Sequence, residues 1–233
     1  MGCGGGGKGG EVVASPHEGG GGGRHGHGHG HGHGHGDGGT GHFEHRFEDA
    51  ASWSKVFDDP ERDAWQKPEE VIAALKLDPR ARVADIGAGT GYFTMRLARR
   101  VPQGKVFGVD VEPDMVRWLG ERAQKEGLGN VVAVRGTAAS AELPEPVDVV
   151  LVVDTYHHIP DRTAFFGRLR SSIREGGRLA IVDFTLEAEM GPPKKHRIPP
   201  DEVARELDAA GYRRIESHAF LPNQYFVVFG LAK

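Results

Sequence analysis

The chain has 233 residues, of which 36 are glycine and 13 are histidine, and its formal net charge is −4. Twenty-one of the glycines and nine of the histidines precede Arg46, so two different compositions are joined in one chain. The later part mixes acidic and basic residues evenly, which argues against a nucleic-acid partner. No apolar run is long enough to span a bilayer. The single cysteine, Cys3, excludes an intrachain disulfide and predicts a cytoplasmic protein.

Residues 1–45 are predicted to be a disordered tail, because a glycine-rich chain cannot offset its backbone entropy by burying apolar surface. Imidazole is a common ligand of transition-metal ions, so the tract could chelate them weakly. Its spacing of two residues is not that of a structural zinc site. A purely solubilising tail is the other interpretation. The histidines in question are His25, His27, His29, His31, His33 and His35.

Residues 46–79 are predicted to form a helical lid segment, rich in aromatic residues and broken at Pro60. Pro68 is expected to open a helix that closes near Asp78, since proline is favoured at the first helical position. From residue 80 to 233 strand-like and helix-like patterns alternate, which predicts one domain with a doubly wound parallel sheet.

The sheet is predicted to have seven strands. They are Arg82–Ile86, Lys105–Asp110, Val131–Arg135, Val147–Asp154, Arg178–Phe184, Arg213–Phe220 and Gln224–Leu231. The predicted helices are Tyr92–Arg100, Pro113–Glu126, Arg162–Arg174 and Pro200–Ala210. The last two strands are joined by only three residues, which favours an antiparallel pair. We therefore expect a Rossmann-like sheet that is mostly parallel, with one antiparallel strand near the C-terminus.

The stretch from Val83 to Gly91, VADIGAGTG, predicts a strand, a tight glycine turn and a helix start that can face a ligand with backbone amides. The dinucleotide pattern G-x-G-x-x-G fails, because Tyr92 occupies the third glycine position. Asp85 suits a cationic group, and Asp110, at the end of the next strand, is placed to accept both ribose hydroxyls. An adenosine-type ligand with a cation and no pyrophosphate fits these features, and S-adenosylmethionine is such a ligand.

Four motifs in series, DIGAGTG, VFGVDVEPDM, VDVVLVVDTYHHIPD and LRSSIREGGRLAIVDF, resemble the class I S-adenosylmethionine-dependent methyltransferases over residues 68–233. The resemblance implies that Asp85, Gly87, Ala88, Gly89 and Asp154 hold the methionine part of the cofactor. It implies that Asp110 takes the ribose and that Val111 and Met115 contact the adenine. Thr137 stands where the family has an acid, so its hydroxyl or the Ala138 amide is left for the adenine amino group.

The loop after the fourth strand carries the candidates for catalysis, Asp154, His157 and His158, because doubly wound sheets bind ligands at the carboxyl ends of their strands. Histidine titrates near neutral pH and could act as a base; packing or helix capping is the other interpretation. Substrate contacts are predicted for His196, Tyr225, Trp65 and Gln66. The basic cluster of Lys194, Lys195, His196 and Arg197 would suit an anionic acceptor; an ordinary solvated loop is the other interpretation.

The sequence thus predicts a methyltransferase that uses S-adenosyl-L-methionine to methylate an O, N or C atom of a small molecule by in-line displacement. Two alternatives stay open, a cofactor-binding module without catalytic activity and a metal-handling protein that works through its histidine tail. The sequence indicates no oligomeric state.

Overall fold

The computed structural model describes residue 50 and residues 59–232. The predicted tail (1–45), with the histidines proposed as weak metal chelators, lies outside the described residues. The helices of the described part are α1 (Arg62–Gln66), α2 (Pro68–Ala74), α3 (Tyr92–Arg100), α4 (Pro113–Lys125), α5 (Arg162–Leu169) and α6 (Pro200–Ala209). Prolines open α2, α4 and α6, where the missing N–H would have had no helical partner.

Seven strands form one sheet in the order β3-β2-β1-β4-β5-β7-β6. They are β1 (Arg82–Ile86), β2 (Lys105–Asp110), β3 (Val131–Arg135), β4 (Val147–Val153), β5 (Ile173–Phe184), β6 (Tyr212–His218) and β7 (Gln224–Leu231). Among the described strands, β7 alone runs antiparallel to its neighbours, β5 and β6. The predicted doubly wound sheet with one antiparallel strand is therefore confirmed.

The strand order places a topological switch point between β1 and β4. The chain runs outward from β1 to β2 and β3, and then returns to β4 on the other side of β1. Because β2, β1, β4 and β5 are parallel, their carboxyl ends lie along one edge of the sheet. The antiparallel β7 begins at that same edge, where Gln224 pairs with Phe184. Ligands of doubly wound folds bind at this edge.

Helices cover both faces of the sheet, so its central strands are apolar on both sides. Val152 of β4 belongs to a buried cluster with Phe166 of α5 and Leu207 of α6. Its neighbour Leu151 faces the opposite side and joins a cluster with Ile72 of α2 and Leu97 of α3. This double cover explains why β4 shows an almost continuous apolar run instead of alternation. It also makes α2 part of the layer on the sheet.

The strand β5 begins five residues earlier than predicted. The sequence suggested a helix up to Arg174, but α5 ends at Leu169 and Ile173 already pairs with Val147. The ladder then shifts register before Val149 pairs with Arg178. A Cβ on Gly177, inside this irregularity, would lie 3.0 Å from the Asp148 carbonyl oxygen. The glycine pair therefore permits a bulge within the strand; it does not end a helix. None of the described helices is both long and apolar enough to cross a membrane.

Candidate functional site

The glycine loop after β1 lies at the switch point and adopts a conformation that other residues resist. Gly87, Gly89 and Gly91 have φ values of +76°, +53° and +93°, a region that costs an L-residue about 1–2 kcal/mol. The Gly87 and Ala88 amides donate to the Val109 carbonyl at 2.9 and 3.0 Å, which ties the loop to β2. These hydrogen bonds fix the position of the loop between β1 and the start of α3.

Two loops meet closely at the switch point. A Cβ on Gly87 would lie 2.0 Å from the Thr155 hydroxyl, in the loop after β4. The Thr90 hydroxyl, also in the glycine loop, is buried and has no hydrogen-bond partner among the described residues. A buried hydroxyl without a partner is costly unless a ligand or water satisfies it.

We expect Gly87→Ala to lower the free energy of unfolding by roughly 2–4 kcal/mol, from the φ penalty plus the clash with Thr155. Gly176→Ala is the matched control, since Gly176 has φ +74° and open space where the Cβ would go. It should cost only about 1–2 kcal/mol. Urea unfolding of both variants measures the difference. Equal losses would mean that the two loops are less closely packed than described.

Two carboxylates flank the loop, one buried on β1 and one partly buried directly after β4. Asp85 is 3% exposed and accepts a 2.6 Å hydrogen bond from the Thr94 hydroxyl. Burial raises its pKa to about 6. Asp154 adopts a left-handed conformation, with φ +52°, directly after β4. Burial raises its pKa to about 7, although the Arg62 charge opposes the shift. A bound cationic ligand would stabilise the ionised form of both carboxyls, so the two acids would release protons when the ligand binds.

Asp110 closes β2 on the other side of the loop. Its Oδ2 accepts from the Gly89 amide at 2.8 Å, and its Oδ1 accepts from the Glu112 amide at 3.0 Å. Burial raises the pKa of this carboxyl, and the backbone hydrogen bonds oppose the shift. The next residue, Val111, is 49% exposed. An oriented carboxylate beside an exposed apolar side chain suits a ribose followed by a flat base.

A polar chain joins α1 to β7 and β4. The Gln66 side chain is fully buried, and its Nε2 donates to Gln224 Oε1 at 2.6 Å. Gln224 in turn donates to Asp154 Oδ1. Arg62 donates to Gln66 Oε1 at 3.1 Å and to Asp154 Oδ2 at 3.5 Å. The segment before the first strand therefore reaches the β4 carboxylate directly.

His157 forms a dyad with Asp183, the penultimate residue of β5. Its Nδ1 lies 2.9 Å from both carboxylate oxygens, and its backbone amide donates to Oδ2 at 3.3 Å. The His157 and Asp183 side chains are only 4% and 2% exposed. Burial opposes protonation of His157, but the hydrogen bond and charge of Asp183 raise its pKa above the usual value. The ring of His158 lies beside that of His157 at a tilt of 41°, with ring centroids 4.1 Å apart. The contacts with Asp183 fix the orientation of the His157 ring through Nδ1, so Nε2 is the ring nitrogen that can accept a proton from a ligand.

Comparison with known proteins agrees with this geometry. Residues 77–211, more than half of the chain, match the family model described as a methyltransferase domain. The chain belongs to the methyltransferase-domain family. The resemblance to class I S-adenosylmethionine-dependent methyltransferases, and the predicted cofactor, are thereby confirmed.

Individual methyltransferases match part of the chain. Trans-aconitate 2-methyltransferase of Rhodopseudomonas palustris (strain BisB18) is 33% identical over 133 residues, 57% of this chain and 48% of that protein. The 27-O-demethylrifamycin SV methyltransferase of Amycolatopsis mediterranei (strain S699) is 32% identical over 121 residues, covering 51% and 44%. A crystal structure of a methyltransferase dependent on S-adenosylmethionine from Aquifex aeolicus aligns with TM-score 0.72 and 28% identity, covering 78% and 97%. The chain spans about half the length of the curated relatives it matches.

The side chains of this methyltransferase domain fit the cofactor chemically. Asp85 and Asp154 have the charge that suits the cationic part of the cofactor, and Asp110 beside Val111 has the chemistry that suits the nucleoside. Met115 is only 1% exposed, so its contact with adenine stays a prediction. The Thr137 hydroxyl accepts the Ser140 amide at 3.0 Å within its own exposed turn, which also contains Ala138. The Gly136 amide donates to the Asp110 carbonyl at 3.0 Å, so this turn lies beside the end of β2.

The predicted substrate residues occupy different environments. The half-buried ring of Trp65 lies 5.9 Å from that of Phe184, the last residue of β5. Tyr225 pairs with Asp183 across the sheet, and its hydroxyl is buried without a hydrogen-bond partner among the described residues. Gln66 is fully buried, and its amide is bonded to Gln224. His196 is partly buried in a short 3-10 turn.

Arg197 is not available to an anionic acceptor, contrary to the expectation for the basic cluster. Its guanidinium donates to five backbone carbonyls of one loop, at 2.6 to 3.4 Å. They belong to Thr185, Leu186, Ala188, Met190 and Pro192. Arg197 therefore shapes the loop that follows β5.

Sequence reasoning did not single out three residues of the site: Asp183, Arg62 and Gln224. Asp183 could have been found, because it is an acid at the end of a buried strand, the same signal that singled out Asp110. Arg62 and Gln224 carried no such signal. The described residues hold no cluster of three or more His, Cys, Asp or Glu side chains that could bind a metal ion.

Proposed function

We propose that this cytoplasmic protein transfers a methyl group from S-adenosylmethionine to an O, N or C atom of a small molecule. One observation carries the proposal: the carboxylates of Asp85, Asp110 and Asp154 surround a positive-φ glycine loop at the switch point of the sheet. Three acids at this place complement a cation and a ribose, and they repel the phosphates of a dinucleotide. The net charge of −4 supports a small-molecule acceptor in preference to a nucleic acid.

In this proposal the methionine part of the cofactor lies along the glycine loop, against Asp85, Gly87, Ala88, Gly89 and Asp154. Asp110 accepts the ribose hydroxyls, and Val111, Met115, Thr137 and Ala138 surround the adenine. The acceptor lies near Trp65, His196 and Tyr225, with residues 46–79 as a lid and residues 80–233 as the methyltransferase domain. Lys194 and Lys195, both exposed beside His196, would favour an anionic acceptor.

The bound cofactor supplies a methyl group on a sulfonium, which is reactive toward nucleophiles. The chain aligns the acceptor, excludes water and removes a proton where the acceptor carries one. His157 is the proposed base, because Asp183 holds its Nδ1 and leaves Nε2 to accept the proton. His158 supports the ring of His157, and Asp154 orients the cofactor.

Calorimetric titration of the full-length protein with S-adenosylmethionine and S-adenosylhomocysteine tests the proposal. We expect 1:1 binding of both ligands that EDTA leaves unchanged, and methyl transfer to a member of an acceptor panel that includes trans-aconitate. Absence of binding would refute both the enzyme and the cofactor-binding module. Binding without turnover on any acceptor would favour the module, and loss of binding in EDTA would favour a metal-handling protein.

The affinity for S-adenosylhomocysteine should increase by about 60-fold from pH 5.5 to pH 7.0. The free protein holds Asp154 and Asp85 partly protonated, with pKa values of about 7 and 6, and a cationic ligand requires both ionised. The ligand ammonium, a group with a pKa of about 7.7–8.0, keeps most of its charge over this range. The gain should level off above the higher pKa.

Titrations at several pH values, in buffers with different ionisation enthalpies, measure the affinity and the protons released. Asp154→Asn should bind more weakly and lose most of the pH dependence between pH 6 and 7. The matched control is Asp148→Asn. Asp148 lies at the opposite edge of the sheet and pairs with Arg174, so this variant should keep the pH dependence. An affinity that does not change with pH in the parent protein would show that neither acid meets the cation.

A further inference from the structure

Arg62 places a positive charge among the acids that flank the glycine loop. It lies on α1, with its side chain only 15% exposed, and its terminal nitrogen is 3.5 Å from Asp154 Oδ2. Its charge also stabilises the ionised form of Asp85, so the guanidinium is close enough to affect both carboxyls. An arginine from outside the sheet therefore belongs to the same electrostatic group as the two acids.

Several contacts hold the guanidinium in place. Its Nε and a terminal nitrogen donate to Gln66 Oε1 at 3.3 and 3.1 Å. Gln66 is fixed in turn through Gln224, which is bonded to Asp154. The ring of Tyr92, the first residue of α3, lies 4.1 Å from the guanidinium carbon. A group held in this way gives up little conformational freedom when it binds an anion.

The charge pattern matches an α-amino acid zwitterion. Asp85 and Asp154 complement an ammonium group, and the guanidinium of Arg62 beside them complements a carboxylate. A nucleoside alone would need the acid at Asp110 and no arginine. The methionine part of S-adenosylmethionine carries an ammonium and a carboxylate on the same carbon.

We propose that Arg62 binds the carboxylate of the methionine part of the cofactor, so that α1 contributes a direct ligand to the cofactor site. This inference rests on the proposed function. It makes the segment before the first strand part of the cofactor site itself, and it gives the protein a means to discriminate between S-adenosylmethionine and nucleosides that lack the amino acid.

The test compares two ligands on one variant by calorimetric titration of the full-length protein. S-adenosylhomocysteine has the amino acid part, whereas 5′-methylthioadenosine lacks it. Arg62→Gln should weaken the binding of S-adenosylhomocysteine by about 10- to 100-fold, the effect of losing a hydrogen bond to a charged group. The affinity for 5′-methylthioadenosine should change by less than about twofold. Arg62→Lys keeps the positive charge but not the planar guanidinium. Its affinity for S-adenosylhomocysteine should lie between those of the parent protein and Arg62→Gln.

Arg96→Gln is the matched control. The Arg96 guanidinium also lies 4.1 Å from the Tyr92 ring, but it pairs with Asp63 at 3.0 Å instead of Asp154. The Arg96→Gln variant should bind both ligands with the affinities of the parent protein. Equal weakening of both ligands by Arg62→Gln would reduce Arg62 to a structural role and overturn the proposal. Tighter binding of S-adenosylhomocysteine would overturn it too, since Arg62 would then compete with the ligand ammonium. Failure of the parent protein to bind either ligand would instead refute the proposed function.

Discussion

Replacing His157 with alanine should lower kcat for methyl transfer by about 10²- to 10⁴-fold, the usual contribution of a positioned base. The Kd of the cofactor should stay within about twofold, because His157 is assigned to the acceptor and not to the cofactor. Steady-state kinetics with the acceptor found in the panel, together with calorimetric titration, measure the two quantities separately. Unchanged kcat would mean that the acceptor needs no base or that another group removes its proton.

Asp183→Asn tests whether the dyad sets the basicity of His157. Asp183 raises the pKa of His157 by stabilising the imidazolium, and the base must be neutral to act. The parent kcat should therefore rise with pH through this raised pKa. In the variant the pKa falls, so the acidic limb of the profile should move to lower pH while the maximal kcat decreases. Asp148→Asn, far from the dyad and paired with Arg174, should leave the profile in place. An acidic limb that stays at the same pH would show that Asp183 does not set the pKa of His157.

Asp110→Ala should weaken the binding of S-adenosylhomocysteine by at least about 100-fold, because two hydrogen bonds to a charged acceptor contribute roughly 1.5–3 kcal/mol each. Unlike Arg62→Gln, it should weaken 5′-methylthioadenosine equally, since both ligands carry the ribose. Calorimetric titration with the two ligands gives the comparison. Asp114→Ala, which removes an acid in the first turn of α4 that pairs with Arg117, is the control and should bind both ligands normally. A loss of affinity no larger than that of the control would show that Asp110 does not bind the ribose.

Local sequence patterns were sufficient wherever neighbours in sequence determine the structure. The strands β1, β2, β3 and β7 and the helix α3 have the predicted bounds, because their apolar periodicity and glycine boundaries are local. The positive φ values of the glycine loop follow from the same kind of signal. The prediction failed at β5, where pairing of Ile173 with Val147 overrides the apparent end of a helix at two glycines. Sequence periodicity contains no information about such pairing.

The sequence by itself determined the fold class, the glycine loop and the acids Asp85, Asp110 and Asp154, and these were enough to identify the family and its cofactor. Only the tertiary structure decided which distant residues meet at the carboxyl edge of the sheet. His157 and Asp183 are 26 residues apart, Arg62 and Asp154 are 92 apart, and Gln66 and Gln224 are 158 apart. These contacts depend on strand order and on the antiparallel direction of β7, which long-range packing sets. The His157–Asp183 dyad and the Arg62–Asp154 ion pair are therefore properties of the folded chain.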